Sequence, residues 1–268
     1  MLTLENVNVV FGKGTPDENH ALKNVNLKIA KGDFITVIGS NGAGKSTLLN
    51  AIAGSVMSES GSIRLNAGGA GELDVTKQSE HRRARFIGRI FQNPLLGTAG
   101  NMSLEDNMVV CEKKGYRGLR LGLNNARREM FRERIGKLSL GLERRLRDNV
   151  ALFSGGQRQA LTLLMAVMSR PEVLLLDEHT AALDPVNAER VLSLTKEFAR
   201  DFHLTVLMIT HNMKNALDMG NRLLMMDAGE IILDIGGNEK QNLTLADLQE
   251  RFRAAKRRDL ANDEMLLS

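Results

Sequence analysis

The beginning of the chain alternates between apolar and polar positions, a pattern that is typical of half-buried β-strands. The alternation covers residues 2–10 and returns with similar spacing at residues 22–29. Two such stretches joined by a polar connection predict an antiparallel pair of strands. Shorter stretches at residues 61–65 and 72–75 predict that further strands extend this pair into a small antiparallel β subdomain.

Other short stretches are almost uniformly apolar, which is typical of strands that are covered on both faces in a parallel sheet. They comprise residues 34–38, 173–176, 205–209 and 222–226. The first is followed by a helical pattern at residues 48–53. Buried strands that alternate with helices predict an α/β fold whose sheet is mostly parallel.

From Ser103 to Arg170 the strand patterns disappear and helical spacing replaces them. Ser103 and Asp106 have the spacing of an N-terminal cap pair, and Asp184 followed by Pro185 predicts a later helix start. We therefore expect one domain with an inserted helical subdomain. The single domain is expected over residues 1–268. Its antiparallel subdomain and the first part of its core are expected at 1–100, the helical subdomain at 101–170 and the second part of the core at 171–240. A C-terminal helix is expected at 241–268 and includes an amphipathic stretch at 244–258.

The composition limits the compartment and the partners. The formal net charge of the 268 residues is +4, from 36 basic and 32 acidic side chains, which suits an anionic membrane surface but does not indicate nucleic acid. Cys111 is the only cysteine, so no internal disulfide can form and a reducing compartment is expected. Because no signal pattern precedes Leu2 and no apolar run approaches the ~20 residues that span a bilayer, we expect another chain to supply any membrane pathway.

A glycine-rich sequence, Gly-Ser-Asn-Gly-Ala-Gly-Lys-Ser, joins the first buried strand to its helix. Glycines in such a loop let backbone N–H groups and the positive end of the helix face a phosphate. Lys45 should reach the β- and γ-phosphates, and the Ser46 hydroxyl should ligate Mg²⁺. A glycine-rich turn that binds nothing is the alternative, and the Lys and Ser at these offsets argue against it. The predicted nucleotide-binding residues are Gly39, Ser40, Asn41, Gly42, Ala43, Gly44, Lys45, Ser46 and Thr47.

Two adjacent carboxylates, Asp177 and Glu178, follow the apolar stretch at residues 173–176. In α/β sheets, ligands bind at the carboxyl ends of parallel strands. Asp177 is suited to hold Mg²⁺ opposite Ser46, and Glu178 is suited to activate or orient an attacking water molecule. The alternative is a strand that merely ends in acidic loop residues without a function. A phosphate-binding loop in the same sheet argues against this alternative.

A third motif, Ser154-Gly155-Gly156-Gln157, precedes a long stretch of apolar residues at helical spacing. Ser154 can cap this helix, whose exposed N-terminus favours an anion. A chain that already has one phosphate site has little use for a second within itself, so the motif points to another molecule. Glycines that only allow close helix packing are the alternative.

Together the three motifs resemble those of the ATP-binding cassette (ABC) family, which are P-loop NTPases with a RecA-like core. The resemblance implies that the Ser-Gly-Gly-Gln signature of one subunit closes over the γ-phosphate held by the other. It further implies roles for Phe11 in stacking on adenine, Gln92 in linking the Mg²⁺ region to the helical subdomain, Asp184 in the loop that crosses the dimer interface, and His211 in contacting the γ-phosphate. The implied catalytic residues are Lys45, Gln92, Glu178 and His211, and the implied Mg²⁺ ligands are Ser46, Gln92 and Asp177.

The chain departs from the family pattern at several positions. Phe153 replaces the usual Leu before the signature, and His179 stands where Pro commonly follows the catalytic Glu. Ala181 stands where Ser is frequent in the interface loop, and the missing hydroxyl puts the strength of coupling between two sites in doubt. The groups expected to contact Mg²⁺ or the γ-phosphate are present, so ATP hydrolysis remains the prediction.

Lysines and arginines are crowded at residues 113–134. The family resemblance implies that this region faces the membrane partner, which predicts a docking or lipid-facing surface. A solvated helix with local charge pairs, such as Glu129 with Arg132, is an equally consistent interpretation. The sequence at residues 123–131 also resembles a bacterial subgroup associated with the import of amino acids or similar small solutes.

The sequence therefore predicts the ATP-hydrolysing subunit of a bacterial ABC transporter, peripheral on the cytoplasmic face of the membrane. The expected partners are a second copy or a paralogous subunit, permease subunits and, indirectly, a solute-binding protein. Two copies would sandwich two Mg·ATP and drive import of an amino-acid-like solute. The alternatives are a soluble ABC ATPase, such as an iron–sulfur cluster assembly ATPase, and a regulatory module that hydrolyses little ATP.

Overall fold

The structure is a computed structural model that describes residues 1–66, 69–112 and 123–254. The chain divides into two units. The first comprises Met1–Arg83 together with the chain from Thr205 onward, and the second is Ala84–Leu204.

Strands and helices follow one another largely in the order that the hydrophobic pattern predicts. The first unit begins with β1 (Leu2–Phe11), β2 (Asn19–Ile29), β3 (Phe34–Gly39), α1 (Lys45–Ala53), β4 (Ser60–Leu65), β5 (Leu73–Asp74) and α2 (Glu80–Arg83). The second unit contains β6 (Ile87–Ile90), α3 (Leu104–Glu112), α4 (Asn125–Gly136), α5 (Gly155–Met168), β7 (Val173–Asp177) and α6 (Pro185–Asp201). The first unit resumes with β8 (Thr205–Ile209), α7 (Met213–Asp218), β9 (Arg222–Asp227), β10 (Glu230–Gly236) and α8 (Gly237–Asn242).

One sheet of the first unit is antiparallel, with the strand order β2-β1-β4-β5. In the pairing of β1 with β2, Leu4 lies opposite Leu27, and both side chains are buried. The alternation of apolar and polar residues places one face of each strand in the core. The predicted antiparallel subdomain is therefore confirmed.

The other sheet of this unit has the strand order β10-β9-β3-β8 and is mostly parallel. β3 runs parallel to both β8 and β9, and its residues Ile35 and Val37 are fully buried, as the uniform hydrophobicity predicted. β10 is antiparallel to β9 and was not predicted. Ile235 is its one buried residue, and its sequence places three apolar residues in a row, Ile231, Ile232 and Leu233, which breaks the alternation expected of a half-buried strand.

Helical residues near the C-terminus pack against the parallel sheet. Residues 245–254 are helical, which agrees with the amphipathic helix predicted at 244–258 as far as residue 254, and residues 255–258 lie outside the described residues. The boundary predicted at residue 241 is wrong, because that residue belongs to the separate helix α8. A buried cluster joins this region to the sheet and consists of Ile38, Ala216, Leu223, Met225 and Leu248.

The second unit combines the parallel pair β6–β7 with helices α3 to α6. Because β6 belongs to it, the unit begins well before the helical segment predicted from residue 101. α3 starts as predicted, since the Ser103 hydroxyl accepts a hydrogen bond from the backbone N–H of Asp106 at 3.1 Å. Across the residues described in both units, we find no helix with the length and apolar character needed to span a bilayer.

The C-terminal end of α1 is held by the guanidinium of Arg83, which is fully buried. Its Nη1 donates to the carbonyl oxygens of Ala51 at 2.6 Å and Ile52 at 2.9 Å. Nη2 and Nε donate to the carbonyl oxygens of Thr76 at 3.0 Å and Gln78 at 2.9 Å. A cation at this end also complements the helix dipole. Arg83 therefore fixes the helix that follows the glycine-rich loop.

Replacing Arg83 with Ala is expected to lower the free energy of unfolding by about 3 kcal/mol, because buried carbonyl oxygens would lose their donor. The neighbouring Arg82 is exposed, so Arg82→Ala should change this free energy by no more than about 0.5 kcal/mol. Urea denaturation of both variants measures the difference. Equal losses in the two variants would contradict the role assigned to Arg83.

Candidate nucleotide site

The glycine-rich loop between β3 and α1 has a backbone that requires glycine at two positions. Gly39 and Gly44 have φ angles of 154° and 92°. A Cβ atom on Gly39 would lie 2.2 Å from the carbonyl oxygen of Met226, and one on Gly44 would lie 2.5 Å from that of Ala21. Larger residues are excluded at both positions, which is the reason for the glycine pattern seen in the sequence.

The N-terminus of α1 is suited to an anion. Gly44 caps the helix without a side chain, and the first turn carries no acidic residue. The positive end of the helix dipole and the first N–H groups therefore face the loop. Lys45 is buried, and its Nζ donates to the carbonyl oxygens of Gly39 at 3.0 Å and Ser40 at 2.7 Å, while Ser46 is exposed. The ammonium group is thus held against the loop in which we expect the phosphates.

Ser40 is anchored by Asp227, a residue that the sequence analysis missed. The Ser40 hydroxyl donates to Oδ1 of Asp227 at 2.6 Å. Asp227 ends β9, which runs parallel to β3, so both residues lie at the carboxyl edge of the sheet. The signal that identified Asp177, an acid at the end of an apolar stretch, could have found it.

His211 lies at the same edge of the sheet as the glycine-rich loop. It follows β8, the parallel neighbour of β3, and the backbone N–H of Thr210 donates to the carbonyl oxygen of Val37 at 3.1 Å. The His211 side chain is exposed. Phe11 ends β1 in the antiparallel sheet and is 43% exposed, which leaves its ring accessible for stacking.

In the second unit, Asp177 and Glu178 lie at the carboxyl end of β7, as predicted. Oδ2 of Asp177 lies 3.6 Å from Nη2 of Arg89, which belongs to the neighbouring strand β6. Glu178 adopts a left-handed conformation with φ of 47°, and the backbone N–H of Ala181 donates to its carbonyl oxygen at 2.9 Å. Left-handed residues other than glycine cost about 1–3 kcal/mol and are concentrated at functional sites. The backbone of Glu178 is therefore held in a specific turn.

His179, the first departure after Glu178, is buried and hydrogen-bonded. Its Nε2 lies 3.1 Å from the Thr195 hydroxyl, which itself donates to the carbonyl oxygen of Val191 at 2.8 Å. We therefore assign the proton to Nε2 of a neutral imidazole. Burial lowers the pKa of His179 from its ordinary value of 6.5 to about 4. The neutral ring anchors the turn after Glu178 to α6.

The free energy of unfolding should fall as the pH drops from about 6.5 to about 4, because only the unfolded state protonates His179 in this range. Between about pH 7.5 and pH 5, we expect the wild type to lose roughly 2 kcal/mol more than His179→Gln, whose amide nitrogen can replace Nε2 without titrating. Urea denaturation at the two pH values measures this difference. Equal pH dependence in the two proteins would show that His179 does not fold as the neutral form.

The Ser154 motif forms the N-terminus of α5. The Ser154 hydroxyl accepts a hydrogen bond from the backbone N–H of Gln157 at 3.3 Å, and Oε1 of Gln157 accepts one from the backbone N–H of Ser154 at 3.0 Å. This reciprocal capping box leaves Ser154 and Gly155 exposed. The predicted cap is confirmed, and the positive end of α5 opens to solvent.

Gly156 connects the signature to Asp184. A Cβ atom on Gly156 would lie 2.6 Å from Cγ of Asn187, so the close contact requires glycine. The Asp184 carboxylate accepts hydrogen bonds from Asn187 Nδ2 at 2.6 Å and from its backbone N–H at 3.1 Å. The side-chain bond from Asn187 holds the pKa of Asp184 below its usual value. Asp184 caps α6 as predicted and is brought next to the signature.

The exposed residue Gln92 follows β6. The next residue, Asn93, caps a single helical turn, since its Oδ1 accepts a hydrogen bond from the backbone N–H of Leu95 at 2.9 Å. Gln92 therefore lies in the short connection between a buried strand and this turn.

The basic segment comprises residues 113–134, and its first part, residues 113–122, lies outside the described residues. Arg128 makes hydrogen bonds with both carboxylate oxygens of Glu105, at 2.8 and 3.1 Å. The predicted pair of Arg132 with Glu129 is present. Arg127 also pairs with Glu112, so two of these three ion pairs join α4 to α3 and one lies within α4.

The predicted site residues fall into two groups, one on each unit. The first group offers an ammonium, hydroxyls and uncapped backbone N–H groups, and it comprises Phe11, residues 39–47 and His211. The second group offers carboxylates and an open helix N-terminus, and it comprises Gln92, Ser154, Gly155, Gly156, Gln157, Asp177, Glu178 and Asp184. The chemistry of the first group suits a polyphosphate, and that of the second suits activation of water.

Comparison with known proteins decides the family. The family model described as ABC transporter matches residues 22–181, which include the glycine-rich loop, the signature and Glu178. The chain belongs to this family. The "Tyrosine transport ATP-binding protein" of Clostridioides difficile (strain R20291) is 39% identical over 260 residues, which cover 95% of this chain and 100% of that protein.

Other members of the ABC family agree with this assignment. The "Methionine import ATP-binding protein MetN" of Vibrio vulnificus (strain YJ016) is 35% identical over 234 residues, which cover 87% of this chain and 64% of that protein. The dimeric structure of MJ0796, a bacterial ABC transporter cassette, matches with a TM-score of 0.72 and 27% identity, covering 88% of this chain and 98% of that chain. This ABC protein is therefore an ATP-hydrolysing subunit with a P-loop α/β fold, which confirms the fold class and the family resemblance.

Proposed function

We propose that this ABC ATPase drives a separate membrane permease that imports an amino acid or a similar small solute. The similarity to the tyrosine transport protein over nearly the whole chain carries this proposal, and the similarity to the methionine import protein supports it. The subunit would act as one ABC ATPase domain, peripheral on the cytoplasmic face of the membrane. A solute-binding protein would deliver the solute to the permease.

We propose that two copies sandwich two ATP molecules. Each ATP would be held by residues 39–47 of one copy and by residues 154–157 of the other. The exposed, capped N-terminus of α5 supports this arrangement, because an open helix N-terminus favours an anion such as a γ-phosphate. Asp184 would lie at the same interface, since Asn187 joins it to the signature helix. The exposed ring of Phe11 would stack on adenine.

Hydrolysis in this proposal is an in-line attack of water on the γ-phosphate, in which the bond between the γ-phosphorus and the β–γ bridging oxygen breaks and ADP leaves. Glu178 orients the water and accepts its proton. Lys45 and His211 offset the charge on the transferring phosphoryl group. ATP binding closes the pair of subunits, and hydrolysis allows it to separate, which moves the permease.

The proposed metal ligands fit magnesium in their chemistry. The Ser46 hydroxyl, the Gln92 amide oxygen and the Asp177 carboxylate are oxygen donors, which Mg²⁺ prefers. Among the residues whose positions are described, no group of three or more His, Cys, Asp or Glu could hold a metal. When bound, Mg²⁺ would neutralise charge on the β- and γ-phosphates.

Purification of the tagged protein from its own cells, after membranes are dissolved in a mild detergent, tests the transport role. We expect a polytopic permease to be recovered in an equimolar complex. Deletion of the subunit should abolish uptake of one labelled amino acid, and wild type but not Glu178→Gln should restore it. Recovery of a soluble iron–sulfur assembly scaffold in place of a permease would contradict the proposal.

A further inference from the structure

Arg89 is a charged residue within the short strand β6, whose other residues are Ile87, Gly88 and Ile90. Its side chain is only 13% exposed, and Nη2 lies 3.6 Å from Oδ2 of Asp177, which is 15% exposed. A guanidinium is therefore placed against the carboxylate that we propose as a magnesium ligand, in surroundings that water screens poorly.

The strand register explains why these two side chains meet. Arg89 lies opposite Leu175 in the parallel pair β6–β7, and Asp177 is two residues beyond Leu175. Residues two apart in a strand point to the same face of the sheet. The guanidinium also lies over the ring of Phe91, with Cζ 4.5 Å from the ring centroid. The contact is thus fixed by the backbone and by stacking.

A cation so close to Asp177 has a predictable effect on other cations. The guanidinium repels any cation that approaches this carboxylate, because charges of like sign interact strongly where water is partly excluded. A divalent cation on the same carboxylate meets the same repulsion. The ion pair also gives Asp177 a counter-charge when no nucleotide is bound.

We infer that Arg89 is a positioning residue that competes with magnesium for the Asp177 carboxylate and thereby sets the magnesium concentration that the nucleotide site requires. This inference rests on the proposed ATP site. Consequently, the cation does not bind to the carboxylate alone. It binds together with the nucleotide phosphates, whose negative charge outweighs the positive charge of the guanidinium. An ion pair that only stabilised the fold would leave the magnesium requirement unchanged.

The test compares Arg89→Met and Arg89→Gln, two uncharged variants, with wild type. Arg200→Met is the matched control, because Arg200 is an exposed residue of the same unit that pairs with Asp201. Mg²⁺ is titrated into protein saturated with ADP while the unfolding midpoint Tm is followed, and the Mg²⁺ dependence of ATP hydrolysis is measured in parallel. The ADP measurement does not depend on catalysis.

In both Arg89 variants we expect the half-saturating Mg²⁺ concentration to fall about tenfold, because the repulsion between the guanidinium and the metal ion is removed. In Arg200→Met it should stay within about twofold of wild type. An unchanged or higher Mg²⁺ requirement in a folded Arg89 variant would overturn the inference while the proposed function stands. If wild type itself shows neither Mg²⁺-dependent stabilisation by ADP nor ATP hydrolysis, the proposed function is wrong and the inference fails with it.

Discussion

Replacing Glu178 with Gln is expected to reduce ATP turnover about a thousandfold while ATP still binds. Glutamine has the size of glutamate and still accepts a hydrogen bond, but it cannot take a proton from the attacking water. Glu178 lies outside the glycine-rich loop, so kcat should fall while the dissociation constant for ATP stays within about threefold. Phosphate release and binding of a fluorescent ATP analogue measure the two quantities.

Glu189 provides the matched control for this substitution. It is exposed on α6 in the same unit, and Glu189→Gln makes the same chemical change away from the proposed site. This control should hydrolyse ATP at the wild-type rate. Retention of more than about a tenth of the wild-type turnover by Glu178→Gln would argue against a general base at this position.

A second large effect is expected at the signature, where charge and capping can be separated. Asp is as good an N-cap as Ser, so Ser154→Asp should preserve the start of α5. It also places a negative charge where we expect the γ-phosphate of a second copy, and like charges facing each other across an interface cost several kcal/mol. Turnover should therefore fall by about a hundredfold or more.

Ser154→Asn isolates the effect of the charge. Asn also caps helices well, has nearly the shape of Asp and is neutral. Both variants should keep the wild-type unfolding midpoint, and the Asn variant should lose far less turnover than the Asp variant. Equal losses in the two variants would mean that no phosphate approaches this helix end during turnover.

Most of the fold could be predicted because the strands have strong local patterns. β1 alternates between apolar and polar residues over most of its length and β3 is almost uniformly apolar, so each resembles a simple strand pattern. β10 was missed because Ile231, Ile232 and Leu233 are consecutive, so its sequence does not alternate between apolar and polar residues. The short helix α7 was not predicted, because six residues are too few to establish a helical period in the sequence.

The candidate site could be predicted where its chemistry is contiguous in the sequence. Two of its features belong to residues that are close together in the sequence, so a sequence motif can reveal them. They are the required glycines Gly39 and Gly44 and the helix cap formed by Ser154. Contacts between residues that are distant in the sequence produce no such motif. Ser40 and Asp227 are 187 positions apart, and the pairing of Arg89 with Asp177 depends on the register of two strands.

The molar mass of Glu178→Gln in solution tests the central proposal most directly, since hydrolysis can no longer separate the two copies. Light scattering with saturating Mg·ATP should give twice the 29.5 kDa of one chain, and Mg·ADP should return the value to that of a single chain. A mass of 29.5 kDa at saturating Mg·ATP would contradict the proposal that the signature of one copy completes the ATP site of the other.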